Sequence, residues 1–425
     1  MWRRWGALPR LQPPVRFECQ SQSMTIHRAQ LFQLRLSRAQ ASYMAKAAGT
    51  ARFAYNWALE EWERQAAEWR DAGEVGAYPS AFALQKQFNA IKREQFPWTA
   101  DVSGMVPEKA IFAVGVAFEG YRSGTARYPR FKSRTGKKSF VAATGRTGIR
   151  VEGQHVVLWR AGRLRLVAKV RWPEATPIGA TISQRAGKWF VAITFEMDDK
   201  PVAAKPVLAA GVDLGIKCPL VVTAGDLTLR LGAGLSQRLN VERRKLRRAN
   251  KRLHRRVKGS GRRWRAQQRA ARIQQRMANI RADVQHKATS QISAMAARIG
   301  VETLGVRGMM RNGRMARAIA DVGFYEIKRQ LKYKADQVVE ADRFYPSSKT
   351  CSSCGSIKTD LKLSDRTYRC ECGFECDRDE NAARNLEKMA ANCAVSARGA
   401  RSPARRRKLT LSSLAMKREA AKAAQ

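Results

Sequence analysis

The sequence is short of acidic side chains, of histidine and of long apolar runs. Its 425 residues include 35 Asp and Glu against 81 Lys and Arg, a formal net charge of +46, and only four histidines. So large an excess of one sign repels itself in a compact protein unless a polyanion neutralises it. The shortage of acids therefore indicates nucleic acid as the partner.

An anionic membrane surface is the competing explanation of the basic charge, yet no apolar run approaches the roughly 18 to 20 residues that a membrane-spanning helix needs. Residues 1–23 are basic and tryptophan-rich but lack an apolar stretch long enough for a secretory signal. They could mimic an organellar transit peptide, or translation could begin at Met24, where the patterned sequence starts. Residues 396–425 are basic and low in complexity, which predicts a disordered tail.

Cysteine is sparse except in one short segment, where four of the eight lie: Cys351, Cys354, Cys370 and Cys372. A secreted disulfide framework would spread its cysteines more evenly, so this pattern favours a reduced compartment and a metal. Four thiolates on two knuckles can enclose a tetrahedral zinc, which would be structural because no coordination position stays open. The second knuckle is one residue shorter than usual, so Cys376 could replace Cys372 as the fourth ligand.

Hydrophobic patterning predicts a strand over residues 24–36, helices up to about residue 122, and then an antiparallel sheet or barrel. A linker is expected to end near residue 206, followed by three strands, the first of which ends at Asp213. A later strand is predicted to carry Glu302. An amphipathic helix is predicted beyond it from the spacing of Phe324, Ile327, Leu331, Ala335 and Val338.

Two basic segments are candidate nucleic-acid contacts. Residues 241–281 carry 17 basic side chains with Glu242 as the only acid, which predicts a helical hairpin that binds phosphate rather than a merely solvated face. Its candidate phosphate ligands are Arg243, Arg244, Arg247, Arg248, Arg255 and Arg256. The loop over residues 126–140 interleaves aromatic and basic residues, which is typical either of base stacking or of a solvated loop with buried aromatics.

Three of the scarce acids, Asp213, Glu302 and Asp379, are each predicted at a strand end or a helix start. Three carboxylates that converge can hold two Mg²⁺ about 4 Å apart, one activating water and the other stabilising the leaving oxygen of a phosphodiester. Each acid taken singly is equally explained by a turn or a helix cap. Asp377, two residues before Asp379, is expected to orient or cap rather than to bind metal.

The segments "GVDLGIK", "VETLGVRGMMRNGRMARAIADVGFYEIKRQLKYKA", "YPSSKTCSSCG" and "CDRDENAARNL" together resemble TnpB, the transposon-encoded nuclease family related to type V CRISPR effectors. The resemblance covers roughly residues 24–390. It implies an α/β multidomain fold. The RNase H-like RuvC nuclease domain would span 206–343 and 377–395, with an inserted four-cysteine zinc ribbon at 344–376. A β-rich wedge domain would span 24–36 and 123–205, and a helical recognition domain 37–122.

The same resemblance implies an RNA-guided DNA endonuclease that cleaves double-stranded target DNA next to a short motif. Its cofactors would be structural Zn²⁺, catalytic Mg²⁺ and a guide RNA copied from the transposon end. The motifs place the catalytic Mg²⁺ ligands at Asp213, Glu302 and Asp379, although Thr303 stands where the family often has a second acid. A prokaryotic, cytoplasmic and nucleoid-associated protein without a membrane partner is expected.

Three other functions compete with a guided nuclease. An RNA-guided repressor that has lost cleavage would be expected to lack at least one of the three acids. A transposase that cuts and joins strands would pair a His-x-His site with a tyrosine, whereas the four histidines here are far apart: His27, His155, His254 and His286. A structural zinc-ribbon RNA-binding protein remains, and Mg²⁺-dependent nuclease activity would eliminate it.

Overall fold

A computed structural model describes residues 25–198, 205–216, 218–362 and 365–392. The extension over residues 1–23, most of the expected linker and the expected tail lie outside these residues. The described chain falls into two compact units. One comprises residues 25–198 and 246–275, and the other comprises residues 205–245 and 276–392. No helix in the described part of the chain is both long and apolar enough to cross a membrane.

The first unit contains a seven-stranded sheet in which every neighbouring pair is antiparallel. Its strands are β1 (Thr25–Arg35), β2 (Ser139–Thr144), β3 (Ile149–Glu152), β4 (His155–Leu158), β5 (Gly162–Leu166), β6 (Thr176–Arg185) and β7 (Lys188–Asp198). The strand order is β2-β6-β7-β1-β5-β4-β3. Alternation along β7 buries every second side chain from Trp189 to Phe195, because successive residues of a strand face opposite sides of the sheet.

Helices follow the first strand up to residue 122, as predicted: α1 (Arg38–Asp71), α2 (Ala81–Gln95) and α3 (Met105–Arg122), with a short 3₁₀ helix at Pro97–Asp101. Ser37 begins α1 with a capping box, since its hydroxyl accepts from the Gln40 amide and the Gln40 side chain accepts from the Ser37 amide. The spacing of four along α1 buries Trp62, which stacks on Phe118 of α3 with ring centroids 4.7 Å apart. The helices and the sheet share one apolar core.

The second unit contains a mixed five-stranded sheet in the order β10-β9-β8-β11-β12. The strands are β8 (Val207–Asp213), β9 (Leu220–Ala224), β10 (Leu227–Leu231), β11 (Ala296–Val301) and β12 (Gln337–Glu340). Strands β8, β11 and β12 run parallel, and β9 and β10 return antiparallel beside β8. The three strands expected from residue 207 onward are confirmed. The strand expected to carry Glu302 ends one residue before it, at Val301.

The basic segment forms the expected helical hairpin, with α4 (Leu235–His254) and α5 (Gly261–Met295). Helices α6 (Val306–Met309), α7 (Gly313–Val322), α8 (Phe324–Lys334) and α9 (Arg378–Asn392) belong to the second unit, together with a two-stranded ribbon of β13 (Thr367–Arg369) and β14 (Glu375–Asp377). The amphipathic helix was predicted one element too long, because it ends at Lys334 and Val338 lies in β12.

One candidate phosphate ligand of the hairpin has another role. Arg243 pairs with the buried carboxylate of Asp321, and Arg281 pairs with the same carboxylate at 3.0 Å. A charge that is taken out of water needs a partner, and here two guanidinium groups surround one acid. Arg243 therefore stabilises the second unit, and the prediction that it faces phosphate is wrong. The other five candidates on α4 and in the turn after it are solvent-exposed: Arg244, Arg247, Arg248, Arg255 and Arg256.

Candidate metal centres

The structure brings together the three carboxylates singled out from the sequence. Asp213 is the last residue of β8, and Glu302 follows the last residue of β11. These strands are parallel neighbours with Val212 opposite Val301, so both acids lie at the same edge of the sheet. Asp379 lies in the first turn of α9, and its charge acts on Asp213. Residues that are far apart in the chain thus form one acidic cluster.

The electrostatics of this cluster are those of crowded like charges. Asp213 is 9% exposed, and burial raises the pKa of its carboxyl well above the ordinary value. The carboxylate of Glu302, which also hydrogen-bonds to Asp213, raises this pKa further, as does Asp379, while Arg378 opposes them. Carboxylate oxygens are the ligands that Mg²⁺ prefers, and a divalent cation would neutralise the repulsion. The donor set therefore fits a Mg²⁺ site.

Glycines let α9 approach the sheet closely enough to deliver Asp379. Gly211 and Gly300 are register partners on β8 and β11, each two residues before an acid of the cluster. A Cβ at Gly211 would overlap the carbonyl of Ala383, and one at Gly300 would overlap the carbonyl of Leu386. The backbone of the helix thus rests on the two glycines, a contact that no other residue type permits. The signal in the sequence was the repeated pattern Gly-Val-acid at 211–213 and 300–302.

Asp377 caps α9, as expected. Its Oδ1 accepts from the backbone amides of Asp379 at 2.9 Å and Glu380 at 3.3 Å. Its other oxygen lies 3.3 Å from the guanidinium of Arg230. A carboxylate in this position satisfies amides that have no partner inside the helix and complements the helix dipole. Asp377 therefore fixes the start of the helix that carries Asp379.

A serine missed in the sequence orients Glu302. The buried hydroxyl of Ser347 donates to Glu302 Oε1 at 2.9 Å. The carbonyl of Ser347 in turn accepts from the side-chain amide of Asn385 at 2.8 Å, so α9 holds the serine in place. Hydrogen-bond partners of this kind set the orientation of metal-ligating carboxylates. Only its place in "YPSSKTCSSCG" could have drawn attention to it.

Four cysteine sulfurs form a second cluster in which all ligand atoms lie within 4.8 Å of one another: Cys351, Cys354, Cys370 and Cys372. The Cys351 and Cys372 sulfurs are 3.8 Å apart, and those of Cys354 and Cys370 are 3.6 Å apart. Tetrahedral zinc with Zn–S bonds of about 2.3 Å requires about 3.8 Å between sulfurs, so the set fits zinc. Hydrogen bonds with Ser356 lower the pKa of Cys354 to about 6.

Cys376, the alternative fourth ligand, lies outside the cluster. A tight turn in which Gly373 has φ +84° follows Cys372, and Cys370 N bonds to Phe374 O at 2.9 Å across it. Cys376 then lies in β14 opposite Tyr368, with its sulfur 3.4 Å from the carbonyl of Asp377. The turn thus completes the four-sulfur set with the nearer cysteine.

Two asparagines of α9 attach the segment that precedes and enters the cysteine cluster. Asn381 accepts from the Ser352 amide at 2.9 Å and donates to the Thr350 carbonyl at 2.7 Å. Asn385 also donates to Thr350 at 2.7 Å. Both asparagines are buried, and their bonds satisfy backbone groups beside Cys351 that would otherwise be buried without partners. The helix that carries Asp379 therefore also positions the first cysteine.

Three family models match the chain. They are described as "Cas12f1-like, TNB domain" over residues 324–386, "Probable transposase" over residues 192–313, and "Helix-turn-helix domain" over residues 24–70. In this structure the last range is occupied by β1 and by most of the single long helix α1. The first two ranges together contain Asp213, Glu302 and the four cysteines of the cluster.

Relatives align over most of the chain. A candidate RNA-guided DNA endonuclease of Streptomyces pristinaespiralis is 30% identical over 375 residues, which cover 85% of this chain and 88% of the relative. InsQ of Escherichia coli K12, also named as a candidate RNA-guided DNA endonuclease, is 28% identical and covers 87% of this chain and 93% of its own. The solved complex of Cas12f1 with sgRNA and target DNA shares the fold, with a TM-score of 0.54, 14% identity and 83% of each chain covered.

Proposed function

This chain belongs to the TnpB family of RNA-guided DNA endonucleases, and we propose that it cleaves target DNA by metal-dependent RuvC-type chemistry at Asp213, Glu302 and Asp379. The convergence of these three carboxylates at one sheet edge is the observation that carries the proposal. Mg²⁺ ions bound there would activate water and stabilise the leaving oxygen of the phosphodiester.

The residues around the acids have distinct roles in this proposal. Asp213 supplies a buried carboxylate, and Ser347 keeps one oxygen of Glu302 oriented. The close packing of α9 on Gly211 and Gly300 positions Asp379 near Asp213. Such positioning matters because displacements of about 1 Å can cost two orders of magnitude in rate.

A guide RNA and double-stranded DNA are the proposed partners, with the RNA copied from the transposon end. Support comes from the net charge of +46 and from the exposed arginines of the α4 and α5 hairpin. In guided nucleases base pairing supplies sequence specificity, and the protein contacts mainly the backbones of the nucleic acids. A protein rich in cations is suited to contacting these backbones.

We further assign residues 24–36 and 123–205 to a wedge domain, 37–122 to a recognition domain, 206–343 with 377–395 to the nuclease domain and 344–376 to a zinc ribbon. Zinc in the four-cysteine cluster would fold the ribbon, since a structural site couples metal binding to folding. This assignment follows the family resemblance and the change from antiparallel to mixed sheet between β7 and β8.

The test is to purify the protein with its copurifying RNA, sequence that RNA and supply a guide matched to a chosen DNA. Cleavage of matched DNA in Mg²⁺, and of neither mismatched DNA nor DNA without guide, is expected. Guide-dependent binding without cleavage would favour the repressor. Binding of RNA without guided recognition of DNA would leave a zinc-ribbon RNA-binding protein.

A further inference from the structure

A cleft of about 470 Å³ opens beside Glu302 in the second unit. This volume lies within the range of about 300 to 1,000 Å³ that is common for ligand pockets. The residues around it come from the end of β8, the segment after β11, the start of α8 and the segment after β12. They include buried Leu214 and Phe324 and exposed Arg307, Tyr325 and Arg343.

The cations of the cleft differ in whether an acidic side chain pairs with them. Lys328 is paired with Glu340 at 2.6 Å. Among the described residues, by contrast, no carboxylate lies within ion-pair distance of Arg307 or Arg343, and the Arg343 guanidinium lies over the ring of Phe344 at 5.6 Å. Two exposed guanidinium groups without an acid can bind an anion, and phosphate suits their planar geometry.

The cleft also has an exposed aromatic ring. Tyr325 is 75% exposed although it follows the buried Phe324 at the start of α8. An exposed aromatic ring beside cations is the combination that proteins use to bind single-stranded nucleic acid, with a base stacked on the ring and phosphate held by the charge. Stacking tolerates any base, as a nuclease that reads sequence through a guide requires.

We propose that this cleft holds one unpaired nucleotide of the DNA strand next to the phosphate that is cut. Its base stacks on Tyr325, and its phosphates contact Arg307 and Arg343. The inference rests on the proposed function, because it takes Glu302 as part of the cleaving site. A duplex cannot enter in the same way, since its bases are already stacked on each other, so the cleft selects a strand that has been separated.

The decisive experiment measures each protein variant with both normal and altered DNA. Nucleotides around the cut are replaced one at a time by abasic residues, and cleavage by the guide complex is measured for the wild type, Tyr325→Ala and Tyr325→Phe. At one position the abasic residue should slow the wild type and Tyr325→Phe by about 5- to 100-fold, the cost expected for losing one stacked base. Tyr325→Ala should be slow with both strands and insensitive to the abasic change.

Tyr333→Ala is the matched control, because Tyr333 is also an exposed tyrosine of α8 but does not line the cleft. It should retain the full abasic effect. A fluorescent base at the sensitive position gives a readout of binding alone, measured without added divalent metal so that the strand stays intact. Quenching of that base should occur in the wild type and disappear in Tyr325→Ala.

The arginines are tested by salt dependence. Arg307→Gln should reduce the slope of log affinity against log salt for single-stranded DNA by about 0.7 for each phosphate that the variant no longer neutralises. Arg329→Gln, which removes an arginine already paired with Glu326 at 2.7 Å, should leave the slope unchanged.

The outcomes separate the two proposals. If the wild-type complex does not cut matched DNA, the proposed function fails, and the salt dependence of single-stranded DNA binding by Arg307→Gln still decides whether phosphate occupies the cleft. If the wild type cuts, and Tyr325→Ala keeps the abasic sensitivity and quenching of Tyr333→Ala, the nucleotide site is overturned.

Discussion

The carboxylate cluster and the cysteine cluster belong to the same unit but are assembled in opposite ways. The carboxylates come from three distant segments, and the buried packing of α9 against β8 and β11 brings them together. The cysteines come from one local segment, and two of them, Cys354 and Cys372, are exposed. Tertiary packing holds the first site, whereas the second would depend on a bound metal for its stability.

The two clusters are nevertheless joined. Asn381 and Asn385 attach the segment that enters the cysteine cluster to α9, and Ser347 at the start of that segment donates to Glu302. Loss of the carboxylates and loss of the zinc should therefore differ in how strongly each affects the other cluster. Damage to the carboxylate side chains should leave zinc in place, whereas loss of zinc should loosen the support of Glu302.

The largest effect is expected from removing a carboxylate. Asp213→Ala, Glu302→Ala and Asp379→Ala should each lower Mg²⁺-dependent cleavage by at least about 10³-fold, and a second change should add little, because the acids act as one unit. Cleavage of guide-matched DNA measures this, and zinc content should stay at one per chain. Guide-dependent DNA binding should survive, since it depends on pairing and backbone contacts.

Asp377→Ala is the internal control for Asp379→Ala. It removes a helix cap, which should cost about 0.5 to 2 kcal/mol of stability and reduce cleavage only modestly. If Asp377→Ala abolished cleavage while Asp379→Ala cut at the parental rate, Asp377 would be the metal ligand.

The next prediction concerns the packing of α9 on the sheet and is tested without mutating an acidic residue. Gly300→Ala places a methyl group against the Leu386 carbonyl, so α9 must move away from the sheet. Overpacking of this kind typically costs about 1 to 3 kcal/mol, and the displaced Asp379 should lower cleavage by at least about tenfold. Gly313→Ala is the control, since nothing lies within 4 Å of its Cβ position. Equal cleavage by the two variants would show that α9 does not need the glycine contact.

The packing of α9 on the sheet could not be predicted from local sequence pattern. The strands from residue 207 onward, the hairpin and the position of Asp377 as a cap follow from local pattern, because periodicity and capping are encoded by neighbouring residues. The Gly-Val-acid pattern marks Gly211 and Gly300, but their role, like that of Ser347, depends on residues far away in the chain and is not assigned by that pattern. The assignment of Arg243 failed for the same reason, since its partner Asp321 lies on another helix.

Mutation of a zinc-cluster cysteine is expected to reduce cleavage less than the changes above, but to reduce zinc binding strongly. Cys354→Ser should reduce zinc below one per chain and lower the affinity by at least about tenfold, because it opens the tetrahedral shell. Cys376→Ser should retain all the zinc, since its sulfur lies outside the cluster. Metal analysis of the purified variants decides the matter, and loss of zinc in Cys376→Ser with full retention in Cys372→Ser would make Cys376 the fourth ligand. Cleavage by Cys354→Ser should fall partially as the support of Ser347 weakens.

The choice between Cys372 and Cys376 also shows what spacing can and cannot predict. Both cysteines lie close to Cys370 in the chain, and counting residues leaves both open. The positive φ of Gly373 and the bond across the turn make the decision, since they leave Cys376 on the strand that follows. Turn geometry at one glycine thus places Cys372 rather than Cys376 beside the other three sulfurs, which counting residues could not predict.

The smallest effect is expected from Ser347→Ala, which cuts the connection between the clusters at a single hydrogen bond. Glu302 would lose its donor, so the Mg²⁺ concentration for half-maximal cleavage should rise about tenfold, as is typical when a hydrogen-bond partner of a metal ligand is removed. Stability should change by only about 1 kcal/mol. The neighbouring Ser348→Ala, whose hydroxyl makes no side-chain hydrogen bond within the described residues, should leave the Mg²⁺ dependence unchanged. An unaltered Mg²⁺ dependence in Ser347→Ala would mean that β11 alone orients Glu302, and a loss of zinc would mean that the two clusters form one structural unit.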